Sequence, residues 1–509
     1  MLLVLWGVSR TSAQSAPNPG TLLTIDASAR AAAPETGYLR MGNSRTNKSP
    51  DGHILSVNNR YLILDGKPWL PVMGEFHSTR YPERYWEEEI LKMKAGGVQI
   101  IATYVFWIHH EEVEGQFDWS GQRNLRRFVE LCAKHFLYVY PRIGPWAYGE
   151  VRNGGLPDWL LTKGPTRVND PVYLSYVRKY YEEVGRQLKG LLWKNGGPVI
   201  GVQLENEYSN RAPNGGAAHI SRLKSTAIEA GLDVPLYTVT GWDNAAYPPR
   251  EVIPVFGGYP DEFWSASLQD LPPDPEGVYQ FHVAPTSAHA RILEGRSARS
   301  EGVPLWHYPK FTAELGGGMQ VAYHRRPALA EDDIAPMTLT QLGSGVNLLG
   351  YYMFHGGTNP QGKRTTLQES QATDYPNDLP VKSYDFQAPL GEFGQMNGSF
   401  RKLKVVHQFV QDFGSYLAPM TAVAPDLLPS GTQDTTTLRV VARTQGDHGF
   451  LFFNNYVRNY SLPEHKGVQA VLKLPSETIT VPRHPVTPSI YRLSRISIGR
   501  STWTSVGRC

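Results

Sequence analysis

Eight stretches of this chain read as strands buried on both faces, and their spacing restricts the fold more than any other feature. They span 70–77, 98–107, 137–146, 199–207, 235–241, 252–259, 305–314 and 346–354. Helical patterns at 84–95, 122–136, 172–193, 220–230, 334–342 and 400–413 separate or follow them. The links after the fifth and sixth strands are rich in Pro and aromatics, and no clean helix is read there. Apolar strands alternating with amphipathic helices argue for a parallel sheet covered on both sides. Eight such units fit an α/β chain folded as a (β/α)8 TIM barrel with loop insertions. An open doubly wound sheet is the alternative, but no Gly-rich phosphate loop follows any strand.

At 509 residues the chain is long enough for a barrel and an accessory module. The barrel is expected over 60–417. Beyond it, β-forming clusters at 438–443, 450–456, 469–474 and 478–482 predict a small C-terminal all-β module over 418–509. From Arg492 the strand patterning fades into Ser and Arg, so the module reads as truncated. Residues 17–59, rich in Ala, Pro, Ser, Asn and Gly, read as an N-terminal arm or linker. Residues 1–16 pair a short apolar run with small residues, as a secretory signal does, although no Lys or Arg precedes the run. Export to an extracellular or periplasmic location is the expectation. No later apolar run reaches the ~18 residues of a membrane span.

Fifty Lys and Arg against 47 Asp and Glu leave a net charge of +3 with no basic tract. Neither nucleic acid nor an anionic membrane is therefore an expected partner. Two cysteines, Cys132 and Cys509, provide no disulfide framework and no thiolate metal site. Aromatic residues make up 11% of the chain. Most belong to the core, but Trp and Tyr faces also suit stacking on sugar rings.

Two of the strands run into carboxylates. One ends Gln203-Leu204-Glu205-Asn206-Glu207-Tyr208, the other Thr312-Ala313-Glu314 followed by Leu315 and three glycines. In a barrel these are the fourth and seventh strands, whose C-terminal ends share the mouth where such folds place their chemistry. A retaining glycosidase requires two carboxyl groups ~5–5.5 Å apart, one as acid/base and one as nucleophile. Alternation along a strand sets Glu205 and Glu207 on the same side, so pattern does not choose between them.

Several segments, in order, carry a resemblance. They include Thr103-Tyr104-Val105-Phe106-Trp107, Gly115-Gln116-Phe117-Asp118-Trp119, Arg142-Ile143-Gly144-Pro145-Trp146 with Glu150, and Gly154-Gly155-Leu156-Pro157. Further on come Gln203 to Tyr208, Tyr352-Met353-Phe354-His355-Gly356-Gly357-Thr358-Asn359 and Ser383-Tyr384-Asp385-Phe386. Together they span roughly 60–415, and the chain resembles the glycoside hydrolase family 35 β-galactosidases. The resemblance implies Glu207 as acid/base and Glu314 as nucleophile. It implies that Asn206 bonds the sugar 2-OH, that Tyr104 and Glu150 grip the galactose hydroxyls, and that Tyr352 and Tyr384 line the pocket. It implies an exo-acting enzyme on a β-galactoside of an oligosaccharide or glycoconjugate, with no cofactor. The chain departs from the family at Ile108, Glu112, Leu315 and Phe386. Such changes leave open another β-glycoside, such as a glucosaminide.

Two other classes compete. One is a non-catalytic carbohydrate-binding protein on a decayed barrel, which the intact carboxylate pair opposes. The other is a metal hydrolase built on His77, His109, His110, His307 or His355. His77 lacks a His-x-His partner on the first strand, and His109 and His110 point to opposite faces, so no metal ligand set is read. Glu87-Glu88-Glu89 reads as a solvated helix face.

Overall fold

The computed structural model describes residues 21–40, 45–209, 216–241, 245–265, 267, 269–283, 305–369, 379–481, 484–486, 491–496 and 505–506. The segment read as a signal and the terminal Cys509 lie outside these residues.

Eight strands close a barrel: β1 Val72–Phe76, β2 Ile100–Tyr104, β3 Tyr138–Gly144, β4 Gly201–Leu204, β5 Leu236–Thr240, β6 Ile253–Gly258, β7 Thr312–Gly316 and β8 Leu349–His355. Each pairs in parallel with its neighbours in chain order, and β8 pairs back to β1. The expected TIM barrel is the fold observed. Nearly every strand residue is buried, because one face meets the barrel interior and the other the helices. The main helices are α1 Trp86–Ala95, α2 Leu125–Lys134, α3 Pro171–Leu188, α4 Ala217–Glu229, α5 Ile334–Gly343 and α6 Gly398–Leu417. The start of α3 follows from its sequence. Asp170 accepts from the Val172 and Tyr173 N–H groups, both at 2.9 Å, and Pro171 occupies the first helical position, where no N–H is needed.

The seventh strand departs from its expected bounds of 305–314. Leu305–His307 forms a 3-10 turn and the strand begins only at Thr312. Pro309 has no N–H to give a ladder, which makes the earlier start unfavourable. Glu314 consequently lies in mid-strand. The fourth strand stops at Leu204, three residues before Glu207. Glu89 does not share the solvated face read for its cluster. It is buried, and its carboxylate meets His355 Nε2 at 2.9 Å and Lys92 Nζ at 2.9 Å.

The lower barrel is filled by Met73, Ile100, Tyr140, Ile200, Leu236, Ile253, Phe311 and Leu348, and closed by Leu55 and Leu62. Those two belong to the small sheet Leu55–Val57, Leu62–Leu64 and Lys67–Trp69, which plugs this end. The chemistry is left with the opposite mouth.

After α6 come β9 Thr421–Val423, β10 Arg439–Gln445, β11 His448–Asn454, β12 His465–Lys473, β13 Thr478–Thr480, β14 His484–Val486, β15 Tyr491–Ile496 and β16 Ser505–Val506. One sheet runs β9-β10-β11-β15-β16, so the stretch beyond Arg492, read as unpatterned, includes a paired strand. In β10 and β11, Val441, Phe450 and Phe452 join the barrel's core while Val440, Ala442, Leu451 and Phe453 face a second sheet. The arm read as linker supplies that second sheet with a strand, Leu22–Asp26, parallel to β12. Leu23 and Ile25 are fully buried there.

Candidate active site

At the open mouth the centre is Arg142 of β3, a fully buried guanidinium. Its Nη1 donates to Glu75 Oε2 on β1 at 3.1 Å, and its Nη2 donates to Asn206 Oδ1 at 2.9 Å and to Glu314 Oε1 on β7. With its oxygen turned to the guanidinium, the Gln203 amide accepts at 3.0 Å and 3.2 Å. The guanidinium lies 4.0 Å from the Tyr104 ring centroid, a cation–π distance. Four strands are thus tied by one side chain across the barrel. A buried charge is tolerable only with such pairing.

Glu314 has a second donor, the Tyr259 hydroxyl, 3.1 Å from Oε2. Burial raises the Glu314 pKa, while Arg142 and the Tyr259 hydroxyl oppose that shift and favour the carboxylate. Tyr259 also senses the other acids. Burial first, then the charges of Glu314, Tyr352, Glu150 and Glu207, hold its phenol well above the ordinary value. Glu314, Glu150 and Glu207 thus all bear on this one hydroxyl at the mouth.

Glu207 arrives there by an abrupt turn. Beyond Leu204 the backbone is left-handed at Glu205 (φ +54°) and again at Glu207 (φ +48°), so strand alternation no longer orders the side chains. Glu205 turns inward, almost fully buried, and pairs with Arg167 at 2.7 Å. Glu207 is partly exposed, and its N–H donates to Thr240 Oγ1 at 3.0 Å. This turn sets the two acids apart: Glu205 is committed to an ion pair, and Glu207 is the more exposed. Asn206 Oδ1 accepts from Arg142 and from Thr240 Oγ1 at 3.1 Å, which leaves the amide N–H2 as its donor for a ligand.

The opposite wall holds the other expected residues. Tyr384 donates to Glu150, and the Tyr352 and Tyr384 hydroxyls lie 2.8 Å apart. Burial raises the Glu150 pKa to about 7. The Tyr104 hydroxyl is buried and, unlike most such groups, has no hydrogen-bond partner. Tyr104, Tyr352, Tyr384, Phe386 and Met353 form one apolar collar with Phe106 and Ala147. The glycine run after Glu314 has a steric cause. A Cβ on Gly317 would stand 2.1 Å from Met353 O, and one on Gly318 would stand 2.0 Å from Phe386 O.

All seven candidate residues lie at this mouth. Arg142, Glu75, Arg80, Tyr259 and Thr240 join them without having been assigned roles from sequence, as does His77, weighed there only as a metal ligand. His77 donates from Nε2 to Glu75 Oε1 at 3.1 Å and accepts at Nδ1 from Arg80 at 2.7 Å. Burial, then the charges of Arg80 and Arg142, keep its pKa well below the usual imidazole value. Arg80 continues to Gly149 O at 2.6 Å and lies 3.4 Å from the Tyr384 ring centroid. Arg142 and Glu75 had a sequence signal: each is a charge within an apolar run, where ionised side chains occur only in pairs. Among the described residues, no three His, Cys, Asp or Glu side chains converge as a metal cage.

The family model for glycosyl hydrolases family 35 matches residues 61–410, well over half of the chain. The chain belongs to glycosyl hydrolase family 35. Among the relatives of this family 35 chain, a β-galactosidase of Felis catus is 30% identical over 388 residues, 75% of the chain and 52% of the relative. One of Xanthomonas manihotis is 29% identical over 382 residues, 74% of the chain and 56% of the relative. The chain thus spans little more than half the length of these relatives. Among solved structures, a β-galactosidase from the psychrophilic Marinomonas ef1 aligns with a TM-score of 0.46 at 12% identity, covering 69% of the chain and 62% of that structure.

Proposed function

We propose that this family 35 chain is an exo-acting retaining glycosidase that releases terminal β-linked galactose. The observation that carries the reading is a pair of acids at one mouth: Glu314 of β7, held by Arg142 and Tyr259, and Glu207 on the turn that follows β4, tied to Thr240 of β5. Glu314 attacks the anomeric carbon. Glu207 gives its proton to the glycosidic oxygen, and the bond to the leaving group breaks. Glu207 then takes a proton from water, which attacks the anomeric carbon and releases Glu314. The Asn206 amide donates to the 2-OH, a contact that tightens as charge develops on the ring. Tyr104, Glu150, Tyr352 and Tyr384 receive the remaining hydroxyls. Entry by the non-reducing end sets the terminal galactose against Glu150 and the two tyrosines.

The test is a panel of nitrophenyl β-glycosides, with and without EDTA, and NMR of the first sugar released. Cleavage of the galactoside, indifferent to EDTA, with the β-anomer appearing first, is expected. Glu314→Gln should fold normally and lose several orders of magnitude in turnover. An inverted first product, or near wild-type turnover in that variant, defeats the assignment. Preference for the glucosaminide moves the sugar and keeps the mechanism.

A further inference from the structure

The turn that carries Glu207 is strained, since left-handed backbone at a non-glycine residue persists only where the surroundings over-determine it. Its N–H groups are accounted for locally. Glu205 N–H donates to Gly144 O at 2.8 Å, Asn206 N–H to the Glu205 carboxylate at 3.1 Å, and Glu207 N–H to Thr240. Two of the turn's acceptors, the Glu205 carboxylate and the Asn206 carbonyl, are taken together by one side chain. Arg167 Nη2 donates to Glu205 Oε2 at 2.7 Å and to Asn206 O at 2.8 Å, while its Nε reaches Glu205 Oε1 at 3.3 Å.

Arg167 is itself fixed along its length. Its guanidinium lies 4.5 Å from the Trp146 ring centroid and 5.3 Å from that of Tyr208. The Tyr208 hydroxyl donates to Arg167 O at 2.6 Å. Tyr208 directly follows Glu207, so the clamp closes on the turn from both sides. Three residues beyond Arg167, Asp170 caps α3, which anchors the loop to a long helix. The nucleophile's own supports, Arg142 and Tyr259, make no contact with Arg167 among the hydrogen bonds and ion pairs described.

We propose that Arg167 is a positioning residue for the acid/base: by gripping the Glu205 carboxylate and the Asn206 carbonyl together, it holds the turn that aims Glu207 at the glycosidic oxygen. The proposal rests on the assignment of Glu207 made above. It separates the two halves of the site. Loss of the clamp displaces the proton donor, while the nucleophile keeps direct donors on Arg142 and Tyr259, and Asn206 touches both Arg142 and Arg167. A misplacement of ~1 Å in such a group is worth about 10²-fold. The penalty therefore falls on leaving groups that need a proton and spares those that depart as stable anions.

The experiment uses Arg167→Lys, which keeps the charge but not the fork, and the double variant Arg167→Gln with Glu205→Gln, which removes both charges. Turnover of methyl β-galactoside is expected to fall about 10- to 100-fold at little-changed KM. The pre-steady-state burst from 2,4-dinitrophenyl β-galactoside should change by less than about threefold. Equal losses on both substrates, or none, overturn the proposal. So does failure of both variants to fold, which makes the residue a structural strut. A crystal structure of either variant gives a readout independent of activity. Glu207 out of the left-handed region supports the clamp, and an unchanged turn refutes it. A wild-type protein inactive on every β-galactoside defeats the functional reading, while this backbone readout still judges the clamp.

Discussion

Arg142 is a single guanidinium with three strands' worth of acceptors, and its geometry matters more than its charge. Arg142→Lys retains the cation but cannot reach Glu75, Asn206 and Glu314 at once. Turnover is expected to fall about 10²-fold or more, with thermal stability and KM changing less than kcat, as steady-state kinetics and calorimetry would show. Glu150 brings a pH dependence. In the folded protein it keeps its proton to about 7, whereas the unfolded chain releases it near 4.5. Its contribution to stability is therefore complete below about 4.5 and is lost as pH rises towards 7, a term on the order of 3 kcal/mol. Glu150→Gln should flatten the dependence of Tm on pH across that window. A profile identical to wild type would place the titrating group elsewhere.

At the scale of elements, the N-terminal strand acts as an integral part of the β module. Ile25 is fully buried against residues of β10, β11 and β12. Ile25→Ala is expected to cost about 2–5 kcal/mol in chemical unfolding of the chain. The strand was hidden in the sequence because Leu22–Asp26 is short and is flanked by Ala, Pro and Gly, which mark irregular chain. The eight barrel strands were legible for the opposite reason. Burial on both faces leaves continuous apolar runs, and helices with one wet face separate them. Where a run crossed a proline, as at Pro309, its start was misplaced. Glu314 and Glu207 could be read from their position after such runs. The partners of Arg142 could not, because they depend on ring order and side-chain reach, which no local pattern encodes. The left-handed turn at Glu205 and Glu207 was equally hidden, since Glu carries no propensity for it.

Over the whole molecule, barrel and β module meet through another buried guanidinium. Arg443 of β10 donates to Leu342 O at 2.9 Å, Asn347 Oδ1 at 2.9 Å and Leu417 O at 2.7 Å. Leu342 and Leu417 belong to the last turns of α5 and α6, where carbonyls lack helical partners and favour a cation. Burial lowers the Arg443 pKa to about 9, and the same burial brings nearby Lys310 to about 8. Arg443→Met removes these three hydrogen bonds and leaves the Leu342 and Leu417 carbonyls with the Gly345 and Met420 N–H groups. It should cost about 3 kcal/mol or more and split a single calorimetric transition into two, one for each packed unit. One unsplit transition at the wild-type Tm would show that the apolar contact of Val441, Phe450 and Phe452 suffices.

The parallel pairing of Leu22–Asp26 with β12 also bears on synthesis. Leu22–Asp26 leaves the ribosome ahead of its partner and finds it only after the whole barrel has been translated, on the order of tens of seconds later. Until then Leu23 and Ile25 travel uncovered on a nascent chain. A chaperone that shields extended apolar segments would find one there.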